Sequence, residues 1–381
     1  MNLDFYNLDA FLQPEEIALR ESIRHFVDER CQPNLAEWYE NESLPKELAL
    51  EFGQIGIFGA ELADHGGVSP IGYGLICQEL ERCDSGLRSF SSVQNSLVIY
   101  PIEQYGTPEQ KAEWVPRLVA GEAVGCFGLT EPNHGSDPGG IETTARLVNG
   151  RWILNGSKAW ITNAPICDVA IIWAKTGPNP DSIRGFLVPR GTPGFETAWV
   201  KHKLSMRASC TGLIYLNDCA IPEENQLPGA EGLRGPLRCL TEARYGICWG
   251  VVGAMLSCYE TAQAYSRSRI QFGQPIGRFQ LIQEGLVEII TSLVASQLMA
   301  FQLGQLKSRG LLRHPQVSLA KRHNVAAARQ VAARARSILG ANGITLDYPP
   351  MRVMANLETV YTYEGTHEIH TLIVAEDLAK D

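Results

Sequence analysis

The chain has 381 residues, enough for two or three domains. Its 33 Lys and Arg against 42 Asp and Glu give a formal charge of −9, which argues against a general nucleic-acid binder, because that role needs a basic surface to neutralise phosphates. With 45% hydrophobic and 20% charged residues, the composition is that of a globular enzyme rather than a disordered or low-complexity chain.

The first third reads as helical. Pro14-Glu15-Glu16 places Pro and two acids in a first turn, where they suit the helix dipole. Thr107-Pro108-Glu109-Gln110 is a second start signal, and residues 73–82 and 93–104 also have helical spacing. The texture changes near Gly121. Residues 144–148 and 151–154 flank Asn149-Gly150 and predict a hairpin with a two-residue turn. Residues 169–173 predict a buried strand, and Phe186-Leu187-Val188 a strand ending at Pro189. From about residue 233 the chain is helical again, with long runs over 240–269, 280–308 and 315–339 and a fourth helix from Thr366. Four long helices with short connections predict an antiparallel bundle. The expected organisation is mainly α with a β middle domain: an N-terminal helical domain (1–121), a small β-domain (122–232) and a C-terminal bundle (233–381).

The ten cysteines are scattered singly with no CxxC, most in apolar runs such as Leu75-Ile76-Cys77, and read as reduced core residues. No unbroken run of 18 apolar residues is present, and the N-terminus has neither a basic region nor an apolar stretch. The expectations are a cytoplasmic protein with no membrane insertion.

Two segments can carry chemistry. In Tyr363-Glu364-Gly365-Thr366-His367-Glu368-Ile369-His370, Gly365 can turn the chain and Thr366 can cap the last helix. Glu364 then sits just before a helix start, either as a solvated carboxylate or as a general base. His367 and His370 are at i and i+3, but no further His or Cys lies near, so no metal site is expected. The second segment, residues 127–137, is rich in glycines and hydroxyls and can contact a heterocycle or a pyrophosphate. Residues 160–163 (Trp-Ile-Thr-Asn) can present a hydroxyl from a strand end.

In chain order, Gly128-Leu129-Thr130-Glu131-Pro132 with Gly135-Ser136-Asp137, then Trp160-Ile161-Thr162-Asn163, then Arg269-Ile270-Gln271-Phe272-Gly273, then Leu339-Gly340-Ala341-Asn342-Gly343, then Tyr363-Glu364-Gly365-Thr366 resemble the acyl-CoA dehydrogenase family. Each motif is weak alone; five in order are specific. Glu81 through Ser89, together with Ala243-Arg244-Tyr245-Gly246-Ile247 and the run from Asn356 to Glu364, are most similar to glutaryl-CoA dehydrogenase.

The resemblance implies an FAD enzyme that oxidises an acyl-CoA, with electron-transfer flavoprotein as acceptor and a homotetramer as the assembly. It makes Glu364 the base that removes the α-proton. Phe127, Leu129, Thr130, Ser136, Trp160 and Thr162 match flavin-contacting positions. Arg269, Gln271 and Phe272 match residues reaching the flavin of a neighbouring subunit, and Gly340, Gly343, Thr366 and Glu368 lie in the later cofactor-contacting segments. Arg244 matches a residue near the acyl chain. Some relatives carry the base on that other helix; Ala243 stands at the equivalent position, with Glu242 beside it.

Arg88 carries the substrate expectation. A guanidinium can hold the distal carboxylate of a glutaryl group, and Ser89 can add a hydrogen bond. Alternatively, Arg88 pairs with Glu81 or Asp84 earlier on the same helical stretch. Glu81 and Tyr363 match the network of decarboxylating relatives, which implies crotonyl-CoA and CO2 as products. The alternatives are a non-decarboxylating enzyme, another short acyl thioester on CoA or a carrier protein, an oxidase, and a non-catalytic flavin-binding relative. Leu87, Phe90, Ala341 and the short 64–70 loop differ from the usual glutaryl pattern.

Overall fold

The computed structural model describes residues 4–380. Seven α-helices come first: α1 (Pro14–Phe26), α2 (Leu35–Glu40), α3 (Leu48–Gln54), α4 (Pro70–Cys83), α5 (Ser85–Ser92), α6 (Tyr100–Tyr105) and α7 (Pro108–Val119). Their starts follow from local chemistry. Thr107 Oγ1 accepts from the Gln110 amide and the Gln110 side chain accepts from the Thr107 amide, with Pro108 at the first helical position, a closed capping box. Ser69 caps α4 and Asp84 caps α5, each accepting a main-chain N–H. The expected helix over 73–82 is α4; that over 93–104 is a π-helical stretch, Val93–Ile99, running into α6. Helices α2 and α3, of six and seven residues, are too short to show a period in the sequence.

One sheet follows, of β1 (Gly125–Gly128), β2 (Thr144–Val148), β3 (Arg151–Thr162), β4 (Val169–Lys175), β5 (Ile183–Pro189), β6 (Phe195–Trp199), β7 (Thr211–Pro222) and β8 (Gln226–Leu227). Its order is β6-β7-β3-β2-β4-β5-β8, with β1 parallel to β4. The predicted hairpin is β2–β3. Asn149 and Gly150 both have positive φ, 52° and 72°, as a tight hairpin turn of matching twist requires. The sheet has its own core around Leu154, Ile172, Phe186 and Ile214, separate from the larger helical core.

The rest comprises α8 (Arg234–Ser268), a two-stranded hairpin of β9 (Ile270–Gln271) and β10 (Gln274–Pro275), α9 (Gln280–Ser308), α10 (His314–Ile338), α11 (Pro349–Thr362) and α12 (His367–Leu378). The expectation of four helices is corrected to five. Tyr348-Pro349-Pro350 opens α11; it looks like a loop signal until Pro is placed in a first turn. α8 closes on α4 because it carries glycine at the contact: a Cβ on Gly253 would lie 1.8 Å from Gln78 O. α9 also departs from expectation. It contains Gln and Glu, yet its most apolar 18 residues have a mean hydropathy of 1.6, enough by length and composition to cross a membrane. It packs on α8 and α10 and leaves Leu281, Val287 and Leu298 exposed. All ten cysteines are buried and unpaired.

Lys158 on β3 and Glu131 form a sealed ion pair at 2.7 Å. Burial pushes the lysine down to about 8 while Glu131 opposes the shift. Glu131 also accepts from the Thr143 amide and hydroxyl. Removing one partner of such a pair strands the other. Glu131→Ala should therefore cost about 3–5 kcal/mol of stability, and adding Lys158→Met should recover part of it. Denaturant unfolding at saturating FAD checks this; equal losses in the single and double variants would contradict it.

Candidate active site

Glu364 follows the last turn of α11 at φ 53°, a left-handed conformation that is costly for a residue with a Cβ. Gly365 continues the turn at φ 98°. Thr366 Oγ1 accepts from the Ile369 amide and caps α12, as expected. The residue is half-buried, but its Oε2 is sealed from solvent and has no hydrogen-bond partner. The solvated-carboxylate reading is thereby corrected. Burial pushes the Glu364 carboxyl above the ordinary range, against the pull of Arg88, Lys321 and Arg244. Arg244 Nε donates to the Glu364 carbonyl at 2.7 Å. Glu242, the alternative base, is engaged elsewhere: it pairs with Lys307 at 2.8 Å, and Lys307 also pairs with Glu61.

Arg88 is fully buried on α5. Its Nε donates to Glu81 Oε2 at 2.7 Å and its Nη2 to the Tyr363 hydroxyl, while Nη1 is buried without a partner. Burial opposes the Arg88 charge, but Glu81, Tyr363 and Glu364 together more than offset it. The ion-pair alternative is therefore present, with two corrections. Glu81 lies on α4, across the break at Asp84, not on the same helix. Asp84 is occupied by Arg352 Nε at 3.1 Å and Asn356 Nδ2 at 2.8 Å. Gly250 on α8 makes room for the pair, since a Cβ there would lie 2.1 Å from Glu81 Oε2. Ser89 is buried beside Arg88 on α5; Leu87 and Phe90 are core residues, Phe90 ringed by Phe52 and Phe58. Tyr363 thus joins the two groups: its hydroxyl meets Arg88 and its main chain leads into Glu364.

A second face is built at the end of β3. Trp160 has φ 61° and a 65% exposed indole. Thr162 is half-buried two residues on, and the Ala159 amide ties this strand to the Thr130 carbonyl at 2.9 Å. Phe127 and Leu129 lie buried beneath, and Ser136 is exposed on the adjoining loop. Hydroxyl donors beside an uncovered aromatic side chain fit a flavin, which stacks and accepts hydrogen bonds at its ring edge. The structure does not bring every expected cofactor residue to this face. Arg269 caps the end of α8 and Gln271 and Phe272 stand on the β9–β10 hairpin that follows, with Phe272 94% exposed. Gly340 is exposed and Gly343 buried after α10, and Glu368 is exposed on α12.

Three domain models match: acyl-CoA dehydrogenase N-terminal domain over residues 13–122, middle domain over 126–219 and C-terminal domain over 230–379. The chain belongs to the acyl-CoA dehydrogenase family. An acyl-CoA dehydrogenase of Bacillus subtilis is 32% identical over 96% of this chain and 98% of its own length. The mitochondrial short-chain specific acyl-CoA dehydrogenase of Mus musculus is 31% identical over 95% of this chain and 89% of its own. Crystal structures of glutaryl-CoA dehydrogenase from Mycobacterium smegmatis, one in complex with FADH2, superpose with TM-score 0.97 at 47% identity, over 100% of this chain and 98% of that one. As an acyl-CoA dehydrogenase family enzyme, the chain is a flavoprotein oxidoreductase whose cofactor is FAD.

The structure adds Lys321 to the surroundings of Glu364 and places His370, considered above only for metal binding, beside the same turn. Lys321 on α10 donates to three main-chain carbonyls around Glu364. His370 is buried with neither ring nitrogen hydrogen-bonded, against Gly365; burial pushes it down to about 2. The available signals were a lysine on the buried stripe of α10 and the second histidine of the 363–370 segment.

The shift at Glu364 sets a stability test. The folded carboxyl holds its proton to higher pH than the unfolded one. Wild type therefore loses stability as pH rises from below the ordinary carboxylate range through the raised value. Glu364→Gln has no such loss. Its Tm should exceed that of wild type by about 1–3 °C at neutral pH, with the gap closing in acid. Calorimetry of both FAD-loaded proteins checks this; a pH-independent gap would contradict it.

Proposed function

We propose that the chain catalyses oxidative decarboxylation of glutaryl-CoA to crotonyl-CoA and CO2, with Glu364 as base and electron-transfer flavoprotein as acceptor. The observation that carries this reading is Arg88: a buried guanidinium with one nitrogen unpartnered and another bonded to the tyrosine next to the base. A buried donor left open is costly, and a carboxylate is the acceptor that best fits it. A purely apolar acyl tail would leave that donor unmet.

The α-hydrogen of a thioester is weakly acidic, so the base must be desolvated and the carbonyl oxygen polarised as the proton leaves. Glu364 Oε2, sealed and without a partner, receives the proton. Bound FAD supplies the hydride acceptor for the β-position, with Thr162, Thr130, Ser136 and Trp160 holding it. Arg88 and Ser89 anchor the distal carboxylate, and Arg244 lines the acyl path. The oxidised product is an enoyl thioester whose carboxylate sits on the γ-carbon. Breaking that carbon–carboxylate bond releases CO2 and leaves the electron pair spread over the dienolate. Protonated Glu364 returns its proton to that carbon, giving crotonyl-CoA. Glu81 keeps the guanidinium paired before substrate enters and after CO2 leaves.

The remaining assignments follow the assembly. Arg269, Gln271 and Phe272 contact the FAD of a neighbouring subunit in a homotetramer, and Gly340, Gly343, Thr366 and Glu368 complete the cofactor contacts. The exposed apolar surface of the hairpin and of α9 supports this, including Phe272, Ile270, Leu281 and Val287. The second reading is a short-chain dehydrogenase without decarboxylation. The short-chain mouse relative favours it, as does the engagement of two Arg88 nitrogens by Glu81 and Tyr363.

Two substitutions test the roles. Glu364→Gln should retain FAD and acyl-CoA binding and lose turnover by at least about 10³-fold; normal turnover would move the base elsewhere. Arg88→Ala should reduce kcat/KM for glutaryl-CoA about 10²-fold or more beyond its effect on butyryl-CoA, since a charge-assisted contact is lost for one substrate only. Equal losses would remove Arg88 as the carboxylate anchor and favour the second reading.

A further inference from the structure

The end of a helix leaves main-chain carbonyls without intrahelical partners. At the end of α11 these carbonyls converge on one buried side chain. Lys321 Nζ donates to Val360 O at 3.2 Å, Tyr363 O at 2.8 Å and Gly365 O at 2.9 Å, so all three ammonium donors are used. Arg244 Nε takes the intervening Glu364 O at 2.7 Å. The carbonyls of residues 363, 364 and 365 are thus each held by a cation, one from α8 and one from α10. Between them Glu364 keeps its left-handed φ of 53°.

Helix ends are ordinarily satisfied by water or by a glycine cap. Burying a lysine there is costly, because no carboxylate lies within salt-bridge distance of Nζ among the described residues and the side chain is 2% exposed. Burial pushes Lys321 down to about 7, with Glu364 the largest opposing influence. The groups facing Nζ are Glu364 and Tyr363 at the end of α11, Arg244 and Cys248 on α8, Arg88 on α5 and His370 on α12. Glu364 is the acid among them, and its Oε2 has no donor of its own. The positive charge therefore reaches the carboxylate through space while the hydrogen bonds hold its main chain.

We propose that Lys321 is a positioning residue for proton abstraction: its ammonium fixes the left-handed turn that aims Glu364 and supplies positive charge beside that carboxylate. This rests on Glu364 as the base. A lysine that only ended α11 would affect stability; one that positions the base also sets the rate and the pH at which the base works. Removing the cation leaves desolvation less opposed, so the Glu364 carboxyl moves up and the acid limb of the rate profile moves to higher pH.

The test is single-turnover flavin bleaching under anaerobic conditions against pH. It uses FAD-loaded wild type, Lys321→Gln, Lys321→Met and Glu364→Gln, with whichever of glutaryl-CoA and butyryl-CoA wild type reduces faster. Lys321→Gln keeps hydrogen-bond donors and loses the charge; Lys321→Met loses both. Both lysine variants should bleach at least about tenfold more slowly at saturating substrate, with half-saturation within about twofold of wild type and the acid limb at higher pH. Lys321→Gln should be the milder. If Lys321→Met fails to retain FAD, Lys321→Gln decides. A wild-type rate and acid limb in Lys321→Gln would overturn the proposal, as would slowing fully matched by lost FAD. Glu364→Gln separates the two claims. If it bleaches normally, the base assignment fails and takes this inference with it. If it is inert while Lys321→Gln behaves as wild type, this inference alone fails.

Discussion

The site depends on a carboxylate with one oxygen kept out of water and without a hydrogen-bond partner. Glu364 Oε2 is sealed and unpaired, and such a group is stable only where the surroundings hold its chain and compensate its charge. Both conditions are met by residues from other elements. Arg244 from α8 and Lys321 from α10 grip the adjoining carbonyls, and Arg88 from α5 adds positive charge. The helices of the C-terminal half, packed on α4 and α5, are thus more than a scaffold. They deliver two cations, and α5 a third, to one turn that α11 and α12 meet to form. Such an arrangement opposes stability at neutral pH, the cost expected where a carboxylate serves as the proposed base.

The second constraint is the buried Arg88. Its pairing with Glu81 needs α8 to come close without a side chain, which Gly250 allows. Asp84 breaks the chain between α4 and α5 so that the two partners face each other across the gap, and Asp84 is itself held by Arg352 and Asn356 of α11. The helix that leads into Glu364 therefore also anchors the corner that carries Arg88. In the function proposed above, substrate recognition and proton transfer share one mechanical frame, with Tyr363 as the direct link.

Much of this was legible in the residues because it depends on local chemistry. The Asn149-Gly150 turn, the Thr107 capping box, the Thr366 cap and the long α8–α10 runs each follow from short-range rules, and the structure has them. Glu364 and Arg88 were singled out from motifs. In the sequence, Glu81 and Arg88 read as one helical stretch; the break between them is made by Asp84, which caps α5 through the Gly86 amide and is also held by Arg352 and Asn356 of α11. Two local features were readable in the residues but absent from the expectations: the Pro349-Pro350 start of α11, and the high mean hydropathy of α9 beneath its scattered Gln and Glu. No local motif singles out Lys321; only the fold brings the end of α11 onto its ammonium. The pairings missed are those set by contacts between residues distant in sequence.

The central claim, that a buried guanidinium selects a distal carboxylate for a desolvated base, is tested most directly by mixing the yellow protein anaerobically with glutaryl-CoA and weighing the thioester product. Bleached flavin together with crotonyl-CoA is the predicted result. Absence of bleaching with glutaryl-CoA, in a preparation that butyryl-CoA bleaches, would contradict it.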